Sequence, residues 1–187
     1  KDALGALILQ HIDEISSATA GRIPEWDTLN EPSRRAPILD ILGKEATVAW
    51  FNQARKNILD VRLFLNEAGI LSAPTFDAPN IQKFLEWANY LKQNAPIDGL
   101  GIQSHFRRTP HPPIPEIKRR LDKIAEIGLP LRVTEFNVHF EDEELQAKLT
   151  SDFLTLTFSH PSRLSRTGRH HQQKLHLILV ICILYHY

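Results

Sequence analysis

Two glutamates stand where paired acid chemistry would need them. Glu31 closes one apolar run and Glu135 closes another 104 residues later, each where a strand-like stretch turns abruptly polar. Two carboxyl groups that face each other can divide the work at a glycosidic bond: one protonates the departing oxygen, and the other attacks or stabilises the anomeric carbon. In the retaining form of that reaction the carboxyls lie about 5 to 5.5 Å apart. Amide and imidazole groups occupy the same kind of position. Asn30 precedes Glu31, Asn66 and Glu67 follow a second run, Gln103, Ser104 and His105 follow a third, and Thr134 and Asn137 flank Glu135. Each also has a plainer reading. A carboxylate at a strand end can be merely solvated, His105 can be a satisfied core imidazole, and Asn66 with Glu67 can cap a loop.

The elements that would place these groups recur at a nearly fixed interval. Apolar runs rich in Val, Ile and Leu cover 23–29, 60–65, 99–102 and 129–133, their starts 37, 39 and 30 positions apart. Between them, apolar residues at three-and-four spacing predict helices over 43–58, 77–94, 115–127 and 143–160, and the chain opens inside another helix. Alternating strand and helix argues for a parallel sheet covered by helices, either an open doubly wound sheet or part of a (β/α)8 barrel. An open sheet that binds a nucleotide would carry a glycine-rich phosphate turn after a strand, and none is present. Polar groups delivered to one end by four successive strands are the layout of a barrel active site. The expected fold is therefore α/β: a partial (β/α)8 TIM barrel of about four βα units.

The 187 residues are 42% apolar and 24% charged, with 22 basic and 22 acidic side chains, so no charge imbalance points to nucleic acid or a membrane surface. The single cysteine, Cys182, excludes an internal disulfide. With no methionine and a start inside a helix, the chain reads as a piece of a longer protein. From residue 163 the character changes: 163–174 is basic and polar, and 175–185 is almost continuously apolar yet too short to span a bilayer. Four of the nine histidines fall beyond residue 162 with no acidic residue nearby and no helical or strand pairing, so no metal site is expected. The expected division is a domain over 1–162 and an unrelated tail over 163–187, frameshifted or unspliced.

Three motifs resemble glycoside hydrolase family 10, the endo-β-1,4-xylanases. Trp26-Asp27-Thr28-Leu29-Asn30-Glu31-Pro32 is similar to that family's acid/base strand, W-D-V-V-N-E. Asp98-Gly99-Leu100-Gly101-Ile102-Gln103-Ser104-His105 resembles its sixth strand, and Val133-Thr134-Glu135-Phe136-Asn137 its nucleophile strand, T-E-x-D. The resemblance covers 4–162 and implies a retaining endo-1,4-β-xylanase working by double displacement on xylan or a related β-1,4-glycan, without cofactor or metal. It implies Glu31 as general acid/base, Glu135 as nucleophile, Asn30 as donor to the sugar hydroxyl beside the scissile bond, Gln103 as support of the sugar pocket, and His105 as hydrogen-bond partner of Glu135. Asn66 and Glu67 match the family's N-D-Y strand loosely, because Ala68 stands at the aromatic position. Asn137 stands where the family carries Asp, so an amide replaces the acidic partner of His105. Trp26 reads as inner-layer packing, and Trp50 and Trp87 as helix residues facing the core. The family's first three strands and its eighth have no counterpart here. The readings left open are a truncated and inactive chain, a non-catalytic carbohydrate-binding remnant, and another barrel glycanase such as a β-1,4-glucanase. For the intact parent the resemblance implies a secreted or periplasmic address.

Overall fold

The structure is a computed structural model that describes residues 1–20, 22–34 and 36–161. Its elements run α1 (Asp2–Thr19), β1 (Glu25–Asn30), α2 (Pro37–Leu42), α3 (Glu45–Asn57), β2 (Arg62–Glu67), α4 (Pro79–Asn94), β3 (Gly99–Ile102), β4 (His105–Phe106), α5 (Ile114–Ala125), β5 (Leu131–Val133), β6 (Asn137–Val138) and α6 (Glu143–Ser159). β1, β2, β3 and β5 make one sheet in that order, parallel throughout. β4 and β6 make a second parallel pair just beyond it. This is the partial α/β barrel that the alternating pattern predicts.

The first two strands lie about two residues later than the apolar runs that mark them. Hydrophobicity reports burial against the helices, whereas the ladder of hydrogen bonds continues into polar residues, so Asn30, Asn66 and Glu67 belong to the strands. Leu63, Leu65, Leu100, Ile102 and Leu131 are fully buried. They meet Ile81, Phe84, Ala88 and Leu91 of α4 and Ile117, Leu121 and Ile124 of α5, which share one helical face at three-and-four spacing. Burying one such side chain contributes about 1.5–3 kcal/mol, so the layer between sheet and helices carries most of the fold. Trp50 is buried there as expected, while Trp87 is only half-buried, its ring edge on Tyr90. Trp26 is 2% exposed and packs in the core.

Arg120 of α5 is 1% exposed, and its Nη1 donates to the carbonyls of Ile70, Leu71 and Ala73 at 3.3, 3.2 and 2.7 Å. One buried guanidinium therefore holds the loop that leaves β2, and with it the end of the strand that carries Asn66 and Glu67. At the other side, every residue from Arg132 to Val138 is half-buried. Among the described residues β1 and β5 each have a strand on one side only. No helix among the described residues is long and apolar enough to cross a membrane. The expected tail from residue 163 lies outside the described residues.

Candidate active site

A β-bulge sets the geometry of the first strand end. Asp27 pairs with Phe64 and Leu29 with Leu65, so Thr28 is an extra residue in β1. The half-buried positions of β1 are accordingly Asp27 and Asn30, three apart rather than two. Without the bulge, strand alternation would send Asn30 to the face opposite Asp27. The next residue, Glu31, has φ of 52°, and Ser104 beyond β3 has φ of 61°. Left-handed conformations at non-glycine residues cost about 1–3 kcal/mol and persist only where their surroundings enforce them. At Glu31 the enforcement is visible: its N–H donates to Asn66 O at 2.9 Å, extending the β1–β2 ladder one residue past the strand. The same extension carries Gln103 N–H to Glu67 O and Glu135 N–H to Gln103 O, at 3.0 and 3.2 Å. Glu31, Gln103 and Glu135 thus leave β1, β3 and β5 at one end of the sheet.

Their side chains meet through amides. Gln103 Nε2 donates to Glu31 Oε1 at 2.8 Å and lies 3.5 Å from Asn30 Oδ1. Asn66 Nδ2 lies 3.1 Å from the same Asn30 oxygen and 3.0 Å from Glu135 Oε1, while Thr134 Oγ1 donates to Asn66 Oδ1 at 2.8 Å. The two glutamates are therefore joined by an unbroken chain through Gln103, Asn30 and Asn66. Asn66 can lie across β3 only because residue 101 is glycine: a Cβ there would stand 2.5 Å from Asn66 Oδ1. Gly101→Ala must push Asn66 or the strand aside, and overpacking of this kind costs about 1–3 kcal/mol. The expected result is a lower denaturant midpoint with an unchanged m-value, measured by urea unfolding.

Glu135 is held on both oxygens. Its Oε2 is 3.2 Å from His105 Nε2, and His105 Nδ1 is 2.5 Å from Asn137 Oδ1, across the β4–β6 pair that aligns the two residues. The amide of Asn137 still orients the ring, although it cannot supply charge. With its oxygen toward Nδ1, both ring nitrogens donate only as imidazolium; with the amide turned over, a neutral ring makes the same contact to Glu135. Glu31 is 28% and Glu135 23% exposed, so both oxygens can meet a ligand from solvent. A cleft lined by Asn30, Glu31, Pro32, Pro37, Ile38 and Trp50 opens beside the first of them.

Comparisons with known proteins place the sequence and the fold in one family. The sequence profile of Glycosyl hydrolase family 10 matches residues 1–166. The chain belongs to this family. Among curated family relatives, a Dictyoglomus thermophilum protein described as Beta-1,4-xylanase is 32% identical over 148 residues, which are 74% of this chain and 40% of the relative. An Arabidopsis thaliana protein described as Endo-1,4-beta-xylanase 5-like is 30% identical over 158 residues, 82% of this chain and 27% of its own length. The solved Thermobacillus composti GH10 xylanase superposes with a TM-score of 0.68 at 27% identity, covering 83% of this chain and 52% of that one. Xylanase 10B from Thermotoga petrophila, solved with xylobiose, gives 0.71 at 23% identity over 87% of this chain and 52% of that one. This family 10 chain spans about half the length of the solved relatives and less of the two curated ones.

Two further carboxylates of this family 10 chain lie in the strands, Asp27, to which the sequence assigns no role, and Glu67, which it offers as a loop cap. Asp27 sits below Asn30 on the same face, and burial, reinforced by the charge of Glu135, pushes its pKa up to about 7. Glu67 is fully buried, and burial raises its pKa too, opposed by the N–H groups of Ser33 and Ala68 and aided by the charge of Glu31. The available signal is an acid inside an apolar strand, at Asp27 on the face that carries Asn30. For Asp27 the folded value exceeds the unfolded one, so the native state binds the extra proton. Its contribution to stability is complete below about pH 4 and is lost as pH rises through about 7, at most on the order of 4 kcal/mol. Asp27→Asn has no such proton to lose. Its unfolding temperature should rise relative to wild type between pH 5 and pH 8, by several degrees in thermal scans; parallel profiles would count against the assignment.

Proposed function

We propose that this chain carries the two-glutamate centre of a retaining endo-1,4-β-xylanase. Glu31 protonates the glycosidic oxygen while Glu135 attacks the anomeric carbon, giving a glycosyl ester and a free sugar end. Glu31, now a carboxylate, takes a proton from water as that water attacks the same carbon and releases Glu135. Asn66 and His105 fix the two oxygens of the nucleophile, Asn137 orients the imidazole, and Asn30 with Gln103 presents amides to the sugar between the acids. Trp26 packs beneath the strand that delivers Glu31. The observation that carries this reading is the amide chain joining Glu31, past β1, to Glu135, past β5, across the ends of the two strands between them. The xylobiose bound by the Thermotoga petrophila relative supports xylan as the substrate. Polymers of this size are digested outside the cytoplasm, which favours export.

The test compares reducing-sugar release from xylan and from carboxymethylcellulose, with the anomeric configuration of the first product followed by proton NMR. Release from xylan with retained configuration is the expected result; preference for carboxymethylcellulose would move the assignment to a glucanase. A second reading, a non-catalytic glycan-binding protein, is favoured by the single-neighbour edges of β1 and β5. Retention on a xylan column without sugar release would select it.

A further inference from the structure

Glu67 does not touch the space between the two catalytic candidates, yet it is fully buried and both its oxygens are used. Oε2 accepts the N–H of Ser33 and Oε1 accepts the N–H of Ala68, each at 2.9 Å. Ser33 lies two residues past Glu31, on the far side of Pro32, which has no N–H of its own to fix the turn. The turn at 31–34 is otherwise closed by the 3.3 Å bond from Arg34 N–H to Glu31 O. From inside β2, Glu67 therefore ties down the backbone immediately after the residue whose φ is 52°. We infer that Glu67 is a positioning residue for Glu31, its carboxylate clamping the 31–33 turn so that the acid stays in its left-handed conformation against Gln103. The inference rests on the proposed two-glutamate reading and assigns the residue that keeps its acid in place.

The clamp needs two acceptor oxygens at the reach of a glutamate. A glutamine offers one acceptor and turns an NH₂ toward one of the two N–H donors, so it loses one of the two bonds. Alanine loses both. Neither change removes a group that touches substrate, so the effect should pass through Glu31 alone. It should then follow the demand for a proton at the leaving oxygen, which an activated aryl glycoside does not make.

The experiment uses Glu67→Gln in the full chain, with kcat/KM on unactivated xylo-oligosaccharides and on 2,4-dinitrophenyl β-xylobioside. NMR adds amide exchange at Ser33 and the Overhauser contact between the Gln103 side-chain amide and Glu31. The expected result is a loss of about 10- to 100-fold on the oligosaccharides with less than about threefold on the aryl glycoside. Faster exchange at Ser33 and a weakened Gln103–Glu31 contact should accompany it. Equal losses on both substrates, or an unchanged Ser33 exchange rate, would overturn the assignment. If the wild-type chain cleaves neither substrate, the two-glutamate reading fails, and the NMR contact alone decides whether Glu67 positions Glu31. Ser33→Pro removes the same hydrogen bond from the donor side, and if Glu67→Gln does not fold it gives the same kinetic split between the two substrates and the same weakened Gln103–Glu31 contact.

Discussion

Replacing Glu135 by alanine is expected to lower turnover of xylo-oligosaccharides by a factor on the order of 10⁴ or more, because no other group can form the glycosyl ester. The fold should survive. Glu135 is 23% exposed, and its loss leaves Asn66 Nδ2 with a second partner, Asn30 Oδ1, at 3.1 Å. The space vacated between Asn66 and His105 is flanked by two groups able to donate to an anion, so added azide or formate should restore turnover. With azide the product would be a glycosyl azide of inverted configuration, since the small anion attacks from the side that Glu135 occupied. Both outcomes are read by chromatography and NMR of the products. Full activity of Glu135→Ala without added anion would remove the residue from the reaction.

The architecture was readable from the chain because its two signals are local. Strand runs near Leu63–Leu65 and Leu100–Ile102, and helical spacing such as Ile81, Phe84, Ala88 and Leu91, report burial on the outer face of the sheet. The positions of Glu31 and Glu135 at strand ends follow from the same pattern. α2 escaped it, since six residues give no period to detect, and β4 with β6 are two residues each.

What the chain did not disclose depends on contacts between strands. Asn66 reads as a loose match or a loop cap, yet it touches Asn30, Thr134 and Glu135 at once. It reaches them because Gly101, 35 residues further on, has no side chain to block the way. The bulge at Thr28 breaks the simple alternation that a strand of that composition predicts, and it is what brings Asn30 to the face of Asp27. Glu67 reads with Asn66 as a loop cap; that it also holds Ser33 of the turn after β1 appears only once that turn folds back onto β2. In each case a long-range register decides the outcome, and period-two patterning carries no information about register between different strands.

Glu31 should fail differently from Glu135, and the difference separates an acid/base from a nucleophile. Glu31→Ala removes the proton donor for the first step and the base for the second, but leaves the ester-forming carboxylate intact between Asn66 and His105. On unactivated oligosaccharides kcat/KM should fall by about 10²- to 10⁴-fold, the range that positioned proton transfer supplies. On 2,4-dinitrophenyl β-xylobioside the leaving group departs without help, so kcat/KM should stay near the wild-type value. The second step then limits turnover, because water must attack without a base. A burst of dinitrophenol equal to the enzyme concentration, followed by a slow steady state, is the expected trace, and mass spectrometry of the quenched enzyme should find the sugar on Glu135. Azide should accelerate the steady state and yield a product of retained configuration, opposite to its effect in Glu135→Ala. A loss as deep on the activated substrate as on the oligosaccharides, with no burst, would show that Glu31 does more than move a proton, and the assignment of the two glutamates would have to be exchanged or abandoned.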